Sequence, residues 1–218
     1  MKEHSTEVIP FYGGENPRLF EIERRCMDRD GIVLRFLDSI LPKGCVLDIG
    51  AGNGFTADSL TKSDRTVVAM EPESKMIDVG KPLLWSRGVA QGIPFHDDSF
   101  SAAYSTWAYF LPGVEHKLEG LTEVRRVVTS NGLIVIIDNA GDDEFSSFSR
   151  RTISDDGKWY TSRGFERSIL KTSFRFDSLG EARELLGFYF GEETGETVNA
   201  TEFEYRVAAY VGRSGRIG

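Results

Sequence analysis

Asp48, Gly50, Gly52 and Gly54 stand at alternate positions at the end of an apolar run that begins at Val46. Glycines let the backbone approach a ligand closely, and a carboxylate beside them sets the sign of charge the ligand should carry. A dinucleotide site needs Gly-x-Gly-x-x-Gly, with its third glycine for helix–strand packing. Phe55 occupies that third position here. A phosphate-cradling P-loop is excluded too, because no Gly-Lys-Ser/Thr follows. The aspartate would repel a pyrophosphate and attract a cation. The ligand expected at this turn is positively charged and free of phosphate.

The stretch V-L-D-I-G-A-G-N-G resembles motif I of class I S-adenosylmethionine-dependent methyltransferases, an acid followed by Gly-x-Gly-x-Gly. S-adenosylmethionine meets the charge condition: it carries a sulfonium and an α-ammonium group and no phosphate. Two later segments extend the resemblance. V-V-A-M-E-P ends in Glu71, where these enzymes carry an acid whose two oxygens accept from both ribose hydroxyls. The resemblance implies that Pro72 and Met76 flank the adenine. A-Q-G-I-P-F-H-D-D-S-F, residues 90–100, resembles a segment of the small-molecule branch that includes the ubiquinone-biosynthesis and sterol methyltransferases.

The resemblance covers roughly residues 30–140. It implies cofactor contacts from Asp48, Gly50, Ala51, Gly52, Asn53, Gly54, Glu71, Pro72, Met76, Ala90, Gln91, Gly92, Ile93 and Thr106. Tyr12, in an N-terminal helical lid spanning 1–41, would touch the methionine end. Val89 stands where the branch carries an aspartate to the adenine amino group, and Ser101 replaces a second aspartate; Gln91 or backbone groups would supply the first contact. The activity implied is methyl transfer to a small-molecule acceptor by in-line displacement. The rival is a non-catalytic protein of the same fold that binds S-adenosylmethionine or its demethylated product.

Residues for the acceptor side are less specific. Ser105–Phe110 reads S-T-W-A-Y-F, lacking the Asn/Asp-Pro-Pro-aromatic signature of enzymes that methylate base amines. Trp107, Tyr109 and Phe110 could wall a pocket or pack the core. Phe148, Arg151, Trp159 and Tyr160 lie in a segment, 140–171, where the family places acceptor-recognising insertions; the alternative is a surface helix pair. Asp138-Asn139 is similar to the metal pair of catechol-type enzymes, but the position of a third ligand holds Ser105-Thr106, so no metal is expected. His96 and His116 read as surface residues, and no catalytic base is assigned.

These residues need a frame. Apolar runs at 45–49, 66–70, around Val89, and at 102–105, 133–137, 173–176 and 202–211 read as strands. Helical periods at 55–61, 73–79, 114–129 and 179–189 alternate with them, and two more helices open the chain. The alternation predicts an α/β doubly wound, Rossmann-like seven-stranded sheet with helices on both faces, and the resemblance adds an antiparallel last strand. The segment 191–201 reads as a polar loop and the last seven residues as a frayed tail. The 218 residues suit one domain, 1–218, with 140–171 as an internal insertion. A net charge of −8 argues against a nucleic-acid partner and an anionic membrane surface. Cys26 and Cys45 read as reduced packing thiols, and no segment is apolar enough to cross a bilayer. A cytoplasmic monomer or homodimer acting on a small molecule is the expectation.

Overall fold

The computed structural model describes residues 15–108, 117–149 and 157–218. Tyr12, Tyr109, Phe110, His116 and Arg151 lie outside them. Helices α1 (Pro17–Cys26) and α2 (Ile32–Ile40) lead into β1 (Gly44–Ile49), α3 (Phe55–Leu60) and β2 (Arg65–Met70). Then come β3 (Leu84–Ser86), β4 (Phe100–Thr106), α4 (Lys117–Val127) and β5 (Val128–Asn139). Short helices α5 (Glu144–Ser147) and α6 (Gly157–Thr161) precede β6 (Glu166–Arg175), α7 (Leu179–Phe190), α8 (Glu192–Thr197) and β7 (Glu202–Arg213).

The strands form one sheet in the order β3-β2-β1-β4-β5-β7-β6. Pairings from β3 through β5 are parallel, and β7 runs antiparallel to both neighbours. Chain order reverses between β1 and β4, so their C-terminal ends bound the crevice where doubly wound sheets take ligands. Asp48 and Thr106 sit at those two ends.

Strand alternation divides the core into two layers. Val46, Ala102, Tyr104, Val135, Ile137 and Val207 face one layer with α2, α3 and α7. Leu47, Ile49, Ala103, Ile134, Ile136 and Tyr210 face the other with α4. Within α4 the buried face is Leu121, Val124 and Val127, whereas Leu118 is 56% exposed.

The N-terminal helices are built into the first layer more firmly than a lid would require. Val33 and Leu37 of α2 are fully buried. Asp28, at φ 53°, accepts from the amides of Ile32 and Val33, both at 2.9 Å, and from the Thr172 hydroxyl at 2.7 Å. One carboxylate thus satisfies two orphan donors of α2 and ties it to β6. Arg25 of α1 pairs with Asp177 and Glu181 beside α7.

Several expectations change. The helix expected at 73–79 is one 3-10 turn, Ser74–Met76. Glu73 accepts from the Lys75 amide and Asp78 from the Gly80 amide, so side chains take donors a helix would need. The third strand lies at 84–86, paired with Val68–Met70, and Val89 only bridges to Gly92 across a turn. Residues 166–171 of the expected insertion belong to β6. Helix α8 occupies the expected polar loop because Gly195 passes so close to α7 that a Cβ there would lie 2.6 Å from the Arg183 carbonyl oxygen. The tail is packed: Ser214 and Ile217 are buried.

Candidate functional site

The turn after β1 is held by its own backbone. The amides of Gly50 and Ala51 donate to the Met70 carbonyl at 2.9 and 3.0 Å, and the Gly54 amide donates to the Ala51 carbonyl at 2.9 Å. Gly50, Gly52 and Gly54 have φ of 73°, 56° and 75°, the left-handed region that glycine enters without steric cost. A Cβ on Gly50 would lie 2.5 Å from the Ala108 Cβ, so this glycine also serves close packing. Among the described residues, one on Gly52 would meet only Phe20 Cζ at 3.7 Å and Met76 Cε at 3.8 Å. Asn53 accepts from the Phe55 amide with its side chain and from Lys81 Nζ with its carbonyl.

Asp48 is fully buried. Its register partner across β1 and β4 is Tyr104, whose hydroxyl donates to Oδ2 at 3.0 Å. Oδ1 is buried with no hydrogen-bond partner among the described residues. Burial pushes the Asp48 carboxyl up to about 7, partly offset by the Tyr104 hydrogen bond. A buried carboxylate oxygen without a donor is costly, and a cation brought beside it would recover that cost.

Glu71 follows β2 and is also buried. Its Oε2 accepts from the Gly52 amide at 2.8 Å and its Oε1 from the Glu73 amide at 3.0 Å. Burial raises its pKa, and the two amide donors pull it back. Each oxygen has accepted once and keeps a further lone pair for a hydroxyl donor. Pro72 is half-buried beside it and Met76 is buried.

The Ala90–Ile93 turn is clamped onto α4. Arg126 donates to the carbonyls of Ile93 at 2.9 Å and Phe95 at 2.8 Å, and Glu123 accepts from the Ile93 amide at 3.0 Å. The Ile93 side chain is in the second core layer, leaving Ala90, Gln91 and Gly92 at the turn itself. Thr106 ends β4, half-buried and in register with Ile137.

Trp107, the next residue, has φ 52°, an uncommon conformation for a bulky side chain and costly to hold. Its amide donates to the Ile137 carbonyl at 2.8 Å, and its indole Nε1 donates to the Tyr205 hydroxyl at 2.7 Å. Tyr205 in turn donates to Asn139 Oδ1. Burial, with the Asp138 charge adding to it, holds the Tyr205 phenol well above its ordinary range, so it stays a donor. The ring of Trp107 is therefore positioned by β5 and β7. Beside it lies a cleft of about 230 Å³ walled by α1, α2, Phe55, Thr56 and Trp107.

Other acceptor-side candidates do not join this cleft. Phe148 packs its ring on Phe190 and Phe203. Tyr160 is a core residue, stacked on Tyr210 with centroids 4.6 Å apart and 1% exposed. Trp159 packs against the same layer and carries the Arg163 guanidinium 4.0 Å over its ring. Both face the side of the sheet opposite Trp107, because α6 folds onto Phe165 and Tyr210. Tyr160 and Trp159 are thus corrected from pocket walls to packing residues. His96 is exposed in its turn. The Asn139 amide donates to Asp138 Oδ1 at 2.6 Å.

Sequence reasoning missed Arg24, Phe55, Tyr104 and Tyr205. Arg24 follows Phe20 by one helical turn, so both share a face of α1. Phe20 lies over Gly52, and the same helix face carries Arg24 to the cleft beside it.

Residues 47–136 match the model of a family described as a methyltransferase domain. That stretch is similar to methyltransferase domains. It runs from Leu47 in β1 to Ile136 in β5 and includes the glycine turn, Glu71 and the 90–93 turn, and the methyl donor that the match implies is S-adenosylmethionine. The demethylmenaquinone methyltransferase of Clavibacter sepedonicus is 35% identical over 98 residues, 42% of this chain and 39% of that one. The chain spans less than half the length of the curated relatives it matches. A solved S-adenosylmethionine-dependent methyltransferase of Thermotoga maritima is 17% identical with a TM-score of 0.58, covering 93% of this chain and 96% of that one. The [4+2]-cyclase SpnF is 17% identical with a TM-score of 0.56, covering 88% and 81%. The fold is therefore shared with proteins of different named chemistry.

Proposed function

We propose that this protein transfers a methyl group from S-adenosylmethionine to a small-molecule acceptor. The observation that carries the reading is the buried Asp48 Oδ1 without a donor, set at the switch point beside the glycine turn and Glu71. These residues fit the cofactor: an orphaned acceptor for its cationic end, a turn open over Gly52, and a carboxylate with lone pairs left for a diol. When bound, S-adenosylmethionine supplies a methyl on a sulfonium, given up to a nucleophile as the neutral thioether leaves. Asp48 draws the cationic end to the sheet's edge, and Glu71, oriented by two amides, holds the ribose. The clamped turn at 90–93 borders the adenine, with Gln91 and backbone groups standing in for the acid absent at Val89. Trp107 and Phe55 wall the acceptor side, exclude water and orient the nucleophile for in-line attack.

The demethylmenaquinone methyltransferase relative supports a small-molecule acceptor. No helix among the described residues is long and apolar enough to cross a membrane, and both cysteines are free; with the likeness to that relative, this supports a cytoplasmic role. The test is release of S-adenosylhomocysteine when the chain, S-adenosylmethionine and a fractionated metabolite extract are combined. Release is expected from the wild type and at least about 100-fold less from Asp48→Ala, since an unpaired ligand cation loses its buried partner. Tight cofactor binding without release from any fraction would favour the non-catalytic rival.

A further inference from the structure

The cleft beside Trp107 holds a guanidinium whose charge also draws the Asp48 carboxyl down a little against its burial. Arg24 reaches it from α1, its guanidinium 5.1 Å from the Phe55 ring centroid and 5.6 Å from that of Trp107. Among the described residues, Arg24 Nε is buried without a hydrogen-bond partner and the side chain makes no hydrogen bond or ion pair. The other charged groups on the walls are committed: Arg25 and Arg29 to Asp177 and Glu181, and Asp28 to the α2 amides and Thr172. Met27, Val33 and Leu34 complete the cleft as apolar walls. The glycine turn and Glu71 lie outside it, so the cleft adjoins the cofactor's site without containing it.

We propose that this cleft takes the acceptor, that the acceptor carries a carboxylate on a flat apolar body, and that Arg24 is its anchor. The inference rests on the methyl-transfer reading above. A guanidinium held near two ring faces has planar N–H groups that a carboxylate can meet through two parallel hydrogen bonds. The rings and aliphatic walls suit an aromatic or conjugated body, and desolvation inside the cleft strengthens the pairing. The carboxylate is the handle and not the methylated group. Arg24 is accordingly a residue that selects and positions the acceptor.

Benzoate and benzamide, alike in shape and differing in charge, are the probes, titrated calorimetrically into the full chain saturated with S-adenosylhomocysteine. Wild type is expected to bind benzoate at least about tenfold more tightly than benzamide, the scale of one charge-assisted contact. Arg24→Met, which keeps the apolar stem, should abolish the preference, and Arg24→Lys should retain part of it. Equal binding of the two probes by wild type, or a preference that survives Arg24→Met in a protein of unchanged melting temperature, would overturn the proposal. So would a shift of the carboxylate dependence to the cofactor: Arg24→Met weakening S-adenosylhomocysteine but not its decarboxylated analogue. Failure of wild type to bind S-adenosylhomocysteine would instead overturn the methyl-transfer reading, and that is seen before any benzoate is added.

Discussion

In the proposed role, Asp48 faces two demands of opposite sign, one from folding and one from the cofactor. Its carboxyl is held at about 7 by burial, against about 4 in an unfolded chain. Between those values the folded state keeps a proton that the unfolded state has lost, so stability falls as pH rises from about 4, and the loss is complete above about 7. Asp48→Asn mimics the neutral acid. It should melt close to the wild type at pH 5 and measurably above it at pH 8.5. The ligand side has the opposite sign: a cation favours the ionised carboxylate, so affinity for S-adenosylmethionine should rise with pH through about 7 and level off. Asp48→Asn should bind weakly with a flat profile across that range. Parallel pH profiles for the two proteins, in either melting or calorimetry, would show that Asp48 does not titrate in this window. The same acid was legible in the sequence because its oddity is local, a lone charge in an apolar run. Arg24 was not, since its significance depends on Phe55 and Trp107, distant in sequence and brought together only by the sheet.

At the level of elements, the glycine turn separates packing from ligand access. Gly50 abuts Ala108, and an added Cβ would sit 2.5 Å from that residue's Cβ. Gly50→Ala should therefore displace the strand ends themselves and cost about 2–4 kcal/mol, combining overpacking with left-handed strain. Gly52→Ala meets side-chain tips at ordinary contact distances and carries only the backbone strain, about 1 kcal/mol. It should nonetheless weaken cofactor binding beyond that amount, because its Cβ enters the space over the turn. Thermal melting and calorimetry on the two variants give the comparison; equal melting losses would mean the turn relaxes as a unit. Turns and strands of this kind were readable from residue type alone. Helix α8 was not, because its place depends on Gly195 pressing against Gly187, a contact between α7 and α8 that periodicity cannot encode. The 3-10 turn at 74–76 failed for a local reason: Glu73 and Asp78 offer the backbone nearer partners than a second helical turn would.

Across the whole molecule, the site is assembled from both ends of the chain onto one switch point. Helices α1 and α2 reach the cleft from the N-terminal side, anchored through Asp28, Arg25 and Arg29 to β6 and α7. Strand β7 reaches it from the C-terminal side, where Tyr205 fixes Trp107. The order β5-β7-β6 makes that possible, since an antiparallel insertion brings the start of β7 to the end of β5. What secures β7 is therefore also what secures the cleft. Its far end is closed by Ile217, which is 2% exposed and packs on Gly212 and Phe165; a Cβ on Gly212 would lie 2.5 Å from Ile217 Cγ2. Composition suggested a frayed tail because glycine, serine and arginine dominate it, yet one isoleucine in a glycine-made socket is enough to seat it. Ile217→Ala should lower the unfolding free energy by about 2–4 kcal/mol, the cost of a buried aliphatic truncation. Urea denaturation should show the midpoint falling with an unchanged slope, the sign of lost packing in an intact fold. A loss under about 0.5 kcal/mol would place the isoleucine at the surface. Because Ile217 lies on the sheet face opposite Trp107, affinity for S-adenosylhomocysteine in the folded variant should match the wild type, which separates a general weakening of the sheet from damage to the site.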